Sequence, residues 1–302
     1  MAKIIFHCGA HKTASSHLQH NLHLNKEYLE AIGVKYIKLK YHRGLGEKMI
    51  RLRQEFNNED FDANKIMNEI RQIINDSIKG YDKAIISYEG VFGSMNHYNL
   101  KTVYPDAETL MKIYKDILQG HEVIPAFAIR NYNDFITSAY KWLLQYDEIR
   151  IKFSEFSAQL ELNSARWTEI LKALNQTYSR PIVWTLEDYK SKSNEILSTL
   201  INEISDEKTS PDKLKIFEGK RNSASGKNII KLHYTANRWL GTKNRQRAKY
   251  RINKYFNESN VFFGNLLPNP IDITLETKFD TIPSYQKETT EIKESSDYIV
   301  FP

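Results

Sequence analysis

Apolar residues fall into two patterns along this chain. Short, nearly continuous runs occur at Lys3–Cys8, Val34–Ile37, Lys83–Ser87, Glu122–Ile129 and Pro181–Leu186. Runs of that length predict short strands, and the first of them reads as a buried one. Between them the apolar residues recur at helical spacing. A helix is predicted from Ser16, with Leu18, Leu22, Leu29 and Ile32 near one face and Gly33 as its stop. Another is predicted over 60–79, on Phe61, Ile66, Ile70, Ile73, Ile74 and Ile78. Further helices are predicted near 106–119, over Asn133–Gln145, over 164–177 and over 192–204.

Strands alternating with helices predict βαβ units and a mainly parallel sheet with helices on both sides. The expectation is one α/β domain over residues 1–268, with basic helices toward its end. After Pro268 the chain is rich in Thr, Glu and Ser, so 269–302 reads as an extended polar tail. Ligands of such sheets bind beyond the carboxyl ends of the strands. That singles out Gly9–Ser16, Glu89, Arg130 and Glu187–Asp188; the last pair reads as structural, capping a helix or pairing with an arginine.

Composition adds little until charge is placed. Hydrophobic residues at 41% and charged residues at 26% suit a globular domain. No apolar run is long enough to predict a membrane span, and the apolar start is too short for a signal peptide. The one cysteine, Cys8, reads as a small core residue and fits a reducing, cytoplasmic setting. The formal charge of +6 is unevenly spread: Gly219–Asn257 holds no Asp or Glu but has Lys220, Arg221, Lys227, Lys231, Arg238, Lys243, Arg245, Arg247, Lys249, Arg251 and Lys254. Such a field reads either as a surface for an anionic partner, including peripheral contact with a membrane, or as a solvated helix face. Neither the histidines nor the lone cysteine have metal-site spacing, so no metal is expected.

The densest chemistry is in Gly9-Ala10-His11-Lys12-Thr13-Ala14-Ser15-Ser16-His17-Leu18-Gln19. A strand, a small-residue turn and a helix start make an anion site, because backbone N–H groups and the helix dipole face the ligand. A Walker A loop counted from Gly9 would place its lysine at Ser15; the lysine here is Lys12. Later, Arg130 ends one strand and Ser138 follows eight positions on, along the next helix. A guanidinium can grip a phosphate with two hydrogen bonds while a hydroxyl donates a third.

Both segments resemble the PAPS-dependent sulfotransferases, which use 3′-phosphoadenosine 5′-phosphosulfate (PAPS) and release 3′,5′-adenosine bisphosphate (PAP). His11–Gln19 is similar to the family's Lys-Thr-Ala-Ser-Thr loop, with Ser16 in place of its threonine. The resemblance covers about residues 3–266 and implies a P-loop NTPase-like three-layer fold. It implies that Gly9, Ala10, Lys12, Thr13, Ala14, Ser15 and Ser16 hold the phosphosulfate and that Arg130 and Ser138 hold the 3′-phosphate. Trp184–Tyr189 is similar to the family's late strand. Lys220, Arg221 and Asn222, with Ser223–Ser225, are similar to the basic loop that closes over the donor. Phe256–Asn260 resembles the closing helix. Lys12 is placed for the leaving oxygen. Glu89 follows the strand before the Arg–Ser strand, where the heparan-type branch has its base, and His11 and His17 stand in or beside the loop. The expected reaction is sulfuryl transfer to a hydroxyl or amine of a carbohydrate or another polar or anionic acceptor, without nucleic acid. The alternatives are a P-loop nucleotide kinase and a non-catalytic basic module that binds nucleic acid or acidic polymers.

Overall fold

The structure is a computed structural model that describes residues 1–93, 104–147, 149–160, 166–219, 226–256, 266–272 and 285–301. Its strands are β1 (Lys3–His7), β2 (Val34–Lys38), β3 (Lys83–Ser87), β4 (Glu122–Ile129), β5 (Ile182–Thr185) and β6 (Ile299–Val300). They form one six-stranded sheet in the order β2-β3-β1-β4-β5-β6, every pair parallel. The helices are α1 (Ser15–Leu24), α2 (Lys26–Ala31), α3 (Leu45–Glu55), α4 (Ala63–Ile78), α5 (Ala107–Ile117), α6 (Tyr132–Tyr146), α7 (Phe153–Ala158), α8 (Trp167–Thr177), α9 (Leu186–Ser191), α10 (Ser193–Asn202), α11 (Lys227–Trp239), α12 (Thr242–Tyr255) and α13 (Tyr285–Glu294).

The solid apolar runs form the central strands because alternate side chains enter two different cores. Ile4, Phe6, Ile86, Phe127 and Val183 pack with Leu45, Ile70, Leu110 and Leu171 of α3, α4, α5 and α8. Ile5, Ile85, Ala126 and Trp184 pack with Leu18 and Leu22 of α1 and with Leu197 and Leu200 of α10. Each Leu or Ile so buried contributes roughly 1.5–3 kcal/mol. The result is the expected three-layer α/β architecture, a parallel sheet between helices.

Three stretches differ from the pattern reading. The helix expected from Ser16 to Ile32 breaks at Asn25, whose buried amide donates to the Asn21 and Lys215 carbonyls and accepts from the Lys215 N–H. Residues 39–59, which carried no element, contain a short 3₁₀ turn and α3. The segment read as an extended polar tail is not one where it is described: α13 packs against α8, and β6 completes the sheet beside β5. Of its described apolar residues, Ile292, Tyr298 and Phe301 are buried and Ile271, Tyr285, Ile299 and Val300 are half-buried. A short edge strand and a helix with one apolar stripe need few hydrophobic positions, so composition concealed both.

Candidate active site

β1 lies inside the sheet with β3 on one side and β4 on the other. The chain leaves β1 for β2 at the far edge, returns to β3, and then crosses β1 to reach β4. The order reverses at the end of β1, so a crevice opens there between neighbouring crossovers.

The loop that fills this point is tightly fixed. Thr13 Oγ1 donates to the Ala10 carbonyl at 2.6 Å. Lys12 and Ala14 both take left-handed backbone angles, with φ of 63° and 64°. The Ala14 carbonyl then accepts from the His17 and Leu18 N–H groups, which starts α1. Among the described residues no side chain caps that helix end. A helix start of this kind turns its backbone N–H groups and dipole toward an anion. A methyl group on Gly9 would stand 2.8 Å from His7 Nε2 and 3.4 Å from Ser15 Oγ, so the position demands glycine.

His7 supports the loop from below. It is fully buried, stacked on Trp184 with ring centroids 5.9 Å apart, and this stacking reaches across the small Ala126 between them. Burial pushes its pKa down to about 4, so the ring is neutral at pH 7. Ser87 Oγ accepts from Gln19 and has its own hydrogen to give to His7 Nδ1, at 2.8 Å. The remaining ring proton then sits on Nε2, toward Gly9. His7 Nε2, Ser15 Oγ and Arg130 Nε are buried polar atoms with no hydrogen-bond partner among the described residues.

On the β3 side, the Glu89 carboxylate lies near the Lys12 backbone N–H, which favours its charged form. Burial raises its pKa above the usual carboxylate range, against the opposing pull of Lys12, Lys40 and Lys38. Burial likewise lowers the pKa of Lys12, while Glu89 pulls it back up. Tyr104 OH accepts from the His11 N–H at 2.8 Å and, with its single hydrogen, donates to His11 Nδ1 at 2.9 Å. His11 is held neutral, down to about 3, by burial and by Arg53, Lys12 and Lys40. Its Nδ1 lone pair is occupied and its Nε2 carries the proton, so in this arrangement the ring is a donor, not a base. Arg53 of α3 donates to the Gly90 and Gly93 carbonyls and fixes the turn after Glu89.

On the β4 side, Arg130 Nη1 donates to the Lys12 carbonyl at 2.8 Å. The Arg130 carbonyl accepts from Trp167 Nε1. Desolvation lowers the guanidinium pKa, and Asp134, Glu187 and Tyr285 act against that shift. Ser138 is buried on α6. Asn131 caps α6 and so sets the direction of the helix that carries it. Glu288 of α13 is buried and accepts from Tyr132 OH at 2.6 Å and from the Thr168 N–H and hydroxyl.

The structure therefore brings Lys12, Glu89 and Arg130 together, with Lys12 between the other two. His17 turns out to be a structural tie: Nε2 donates to the Phe217 carbonyl and Nδ1 accepts from Tyr189 OH. Thr185, not Glu187 or Asp188, caps α9. Asp188 accepts from the Thr185 hydroxyl, and Glu187 accepts from Tyr285 OH. Lys220, Arg221, Asn222 and residues 257–260 lie outside the described residues. Sequence reading missed His7, Arg53, Tyr104, Tyr285 and Glu288. Of these only Arg53 left a usable trace, the Leu45, Met49, Leu52 spacing of α3. Among the described residues no group of three or more His, Cys, Asp or Glu is placed to hold a metal ion.

No protein-family model matches the chain, and no curated protein matches it. Among solved structures it is similar to the crystal structure of retinol dehydratase in complex with androsterone and the inactive cofactor PAP. The two are 11% identical over 87% of this chain and 78% of that one, with a TM-score of 0.35. A likeness of that size leaves the functional reading to the residues of this chain.

Proposed function

We propose that this protein is a sulfotransferase that takes PAPS as sulfuryl donor and releases PAP. One observation carries the proposal: a helix start with no side-chain cap stands beside buried donors, Ser15 Oγ and Arg130 Nε, that lack acceptors among the described residues. A ligand rich in anionic oxygens matches them. The loop's likeness to the sulfotransferase phosphosulfate loop makes that ligand the 5′-phosphosulfate. Arg130 and Ser138 are the pair for the 3′-phosphate, and Lys220, Arg221 and Asn222 are proposed to close over the donor.

The donor supplies an activated sulfuryl group: the acceptor oxygen or nitrogen bonds to sulfur as the bond from sulfur to the phosphate oxygen breaks. Glu89 takes the proton from the acceptor, a task its raised pKa suits. Lys12 ammonium meets the negative charge left on the departing phosphate oxygen. His11, holding its proton on Nε2, serves as a hydrogen-bond donor. The acceptor we propose is a carbohydrate hydroxyl or amine. A nucleotide kinase reading lacks support at the loop, because Ser15 occupies the place of the Walker lysine.

The deciding experiment is thermal stabilisation by PAP against 5′-AMP. A ligand at about 100 times its dissociation constant stabilises by roughly 2.7 kcal/mol. PAP should stabilise the fold well beyond AMP, and Arg130→Ala should erase the difference. Equal shifts with the two nucleotides on the parent protein reject the 3′-phosphate site and, with it, this function.

A further inference from the structure

The helical hairpin α11–α12 joins the main core through Ile230 and Tyr234 of α11 and packs around a small cluster of its own, Ile229, Ala236 and Ile252. It is held firmly. Asn237 donates to the Leu144 and Ile149 carbonyls at 2.9 and 3.0 Å, and Lys249 donates to the Asp147 carbonyl. On α12, Arg245 and Ile252 point inward, while Lys243, Arg247, Tyr250 and Lys254 are exposed. Their i, i+4, i+7, i+11 spacing aligns them along one outward stripe. Residues 226–256 contain no acid to offset them.

The exposed residues of the hairpin are aromatic as well as basic. Trp239 is 72% exposed and Tyr250 is 62% exposed. Arg238 lies over the Trp239 ring, and Lys254 lies over both Tyr250 and Tyr255. Beside it runs a cleft of about 450 Å³ with Leu240, Ala248 and Ile252 in its wall and Arg247 and Arg251 on it. Exposed Trp and Tyr among Lys and Arg, over an apolar cleft lined with guanidinium groups, match an interface that is anionic outside and apolar just beneath.

From this geometry we propose that the outer face of α11–α12 docks the protein on an anionic lipid bilayer. Phosphate headgroups pair with Lys243, Arg247, Arg251 and Lys254, and Trp239 enters the headgroup layer. A soluble polyanion would satisfy the cations but give Trp239 and the apolar cleft wall nothing. No helix among the described residues is long and apolar enough to cross a membrane, so the contact is a surface one. The proposal does not rest on the sulfotransferase reading and survives its failure.

The test is sedimentation of the full chain with vesicles of phosphatidylcholine alone or with about three-tenths phosphatidylglycerol. Binding is expected only to the anionic vesicles. It should be released in about 0.5 M salt, where the Debye length is only a few ångströms, and accompanied by a blue shift of tryptophan emission. Each cation near such a surface is worth about fivefold in binding. The triple variant K243E/R247E/K254E should therefore lose on the order of a hundredfold or more at unchanged melting temperature. Trp239→Phe should remove the blue shift and keep most of the sedimentation. If the triple variant melts early, K243Q/K254Q replaces it, with an expected loss of roughly 25-fold. Absence of vesicle binding, binding unaffected by these substitutions, or binding to heparin without binding to vesicles each overturns the proposal.

Discussion

On the β3 side of the loop one carboxylate, Glu89, stands among Lys12, Lys38 and Lys40. On the β4 side one guanidinium, Arg130, stands near Asp134 and Glu187. Both are lone charges in half-dry surroundings, and burial opposes the charged form of each. The outcomes differ because the groups differ. A carboxylate can take up a proton, so burial turns Glu89 into a weaker acid despite three cations. A guanidinium cannot be discharged in a protein, so the acids around Arg130 hold it charged and oriented. One flank is thus poised to move a proton, and the other to grip an anion. Lys12 stands between them: its N–H faces Glu89 and its carbonyl accepts from Arg130.

The largest effect expected separates the flanks by function. Glu89→Gln should lower turnover by roughly 10²–10⁴-fold. PAP binding, a property of the other flank and the loop, should stay the same. The turnover of the parent should rise with pH through the raised Glu89 pKa. Stability should move the opposite way. A carboxyl whose folded pKa is raised contributes stability below its unfolded pKa and loses it as pH climbs through the folded value. Near neutral pH the buried carboxylate therefore costs stability, and the glutamine variant should melt no lower than the parent, with the gap closing in acid. A variant that turns over normally, or that melts well below the parent at neutral pH, makes Glu89 structural and removes the contrast.

Much of this contrast was legible before the fold. Lys83–Ser87 and Glu122–Ile129 form strands at the limits their apolar runs predict, which places Glu89 and Arg130 at neighbouring strand ends. Ala14 at the start of α1 follows from the small-residue turn. The supporting residues were not legible. Tyr104 reaches His11 across a sequence separation of 93 residues, and Glu288 reaches Tyr132 across 156. A buried hydrogen bond between distant residues leaves no periodicity for either partner. His7 sat in plain view, but as one more residue of an apolar run.

The second effect tests whether the β4 flank depends on the C-terminal segment. Glu288 caps the start of α8 and holds Tyr132, two residues beyond Arg130. Glu288→Ala leaves the Thr168 N–H and the Tyr132 hydroxyl buried without acceptors, at a cost of roughly 2–4 kcal/mol. Urea unfolding should show that loss, and the PAP-over-AMP preference should shrink while Glu89→Gln leaves it intact. A stability loss under about 0.5 kcal/mol would make the C-terminal segment a passive cover.

A third effect sits beneath both flanks. His7 has a folded pKa of about 4, below the ordinary value. A depressed histidine contributes its full stability above about pH 6.5 and loses it as pH falls toward the folded value. The span corresponds to ~3 kcal/mol. His7→Asn can still accept from Ser87 but does not titrate there. The parent should be the more stable at pH 7.5, and its advantage should narrow between about pH 6.5 and 4. Parallel pH curves for the two proteins would mean that His7 is not held neutral.

The smallest effect concerns the loop itself. Ala14 carries a φ of 64°, where an L-residue is strained by roughly 1–2 kcal/mol. Glycine removes that strain but gives the unfolded chain about 0.4–1 kcal/mol more freedom to lose. The balance for Ala14→Gly is a gain of under about 1 kcal/mol, or a rise of about 1–3 °C in melting temperature for a chain of this size. Because Lys12 keeps its place between the flanks, turnover and PAP affinity should hardly move. Ala14 also packs against the core beneath α1. A clear fall in melting temperature would show that this methyl contact outweighs the backbone strain, and that the loop is set by packing from below as much as by the contacts that Lys12 makes to either side.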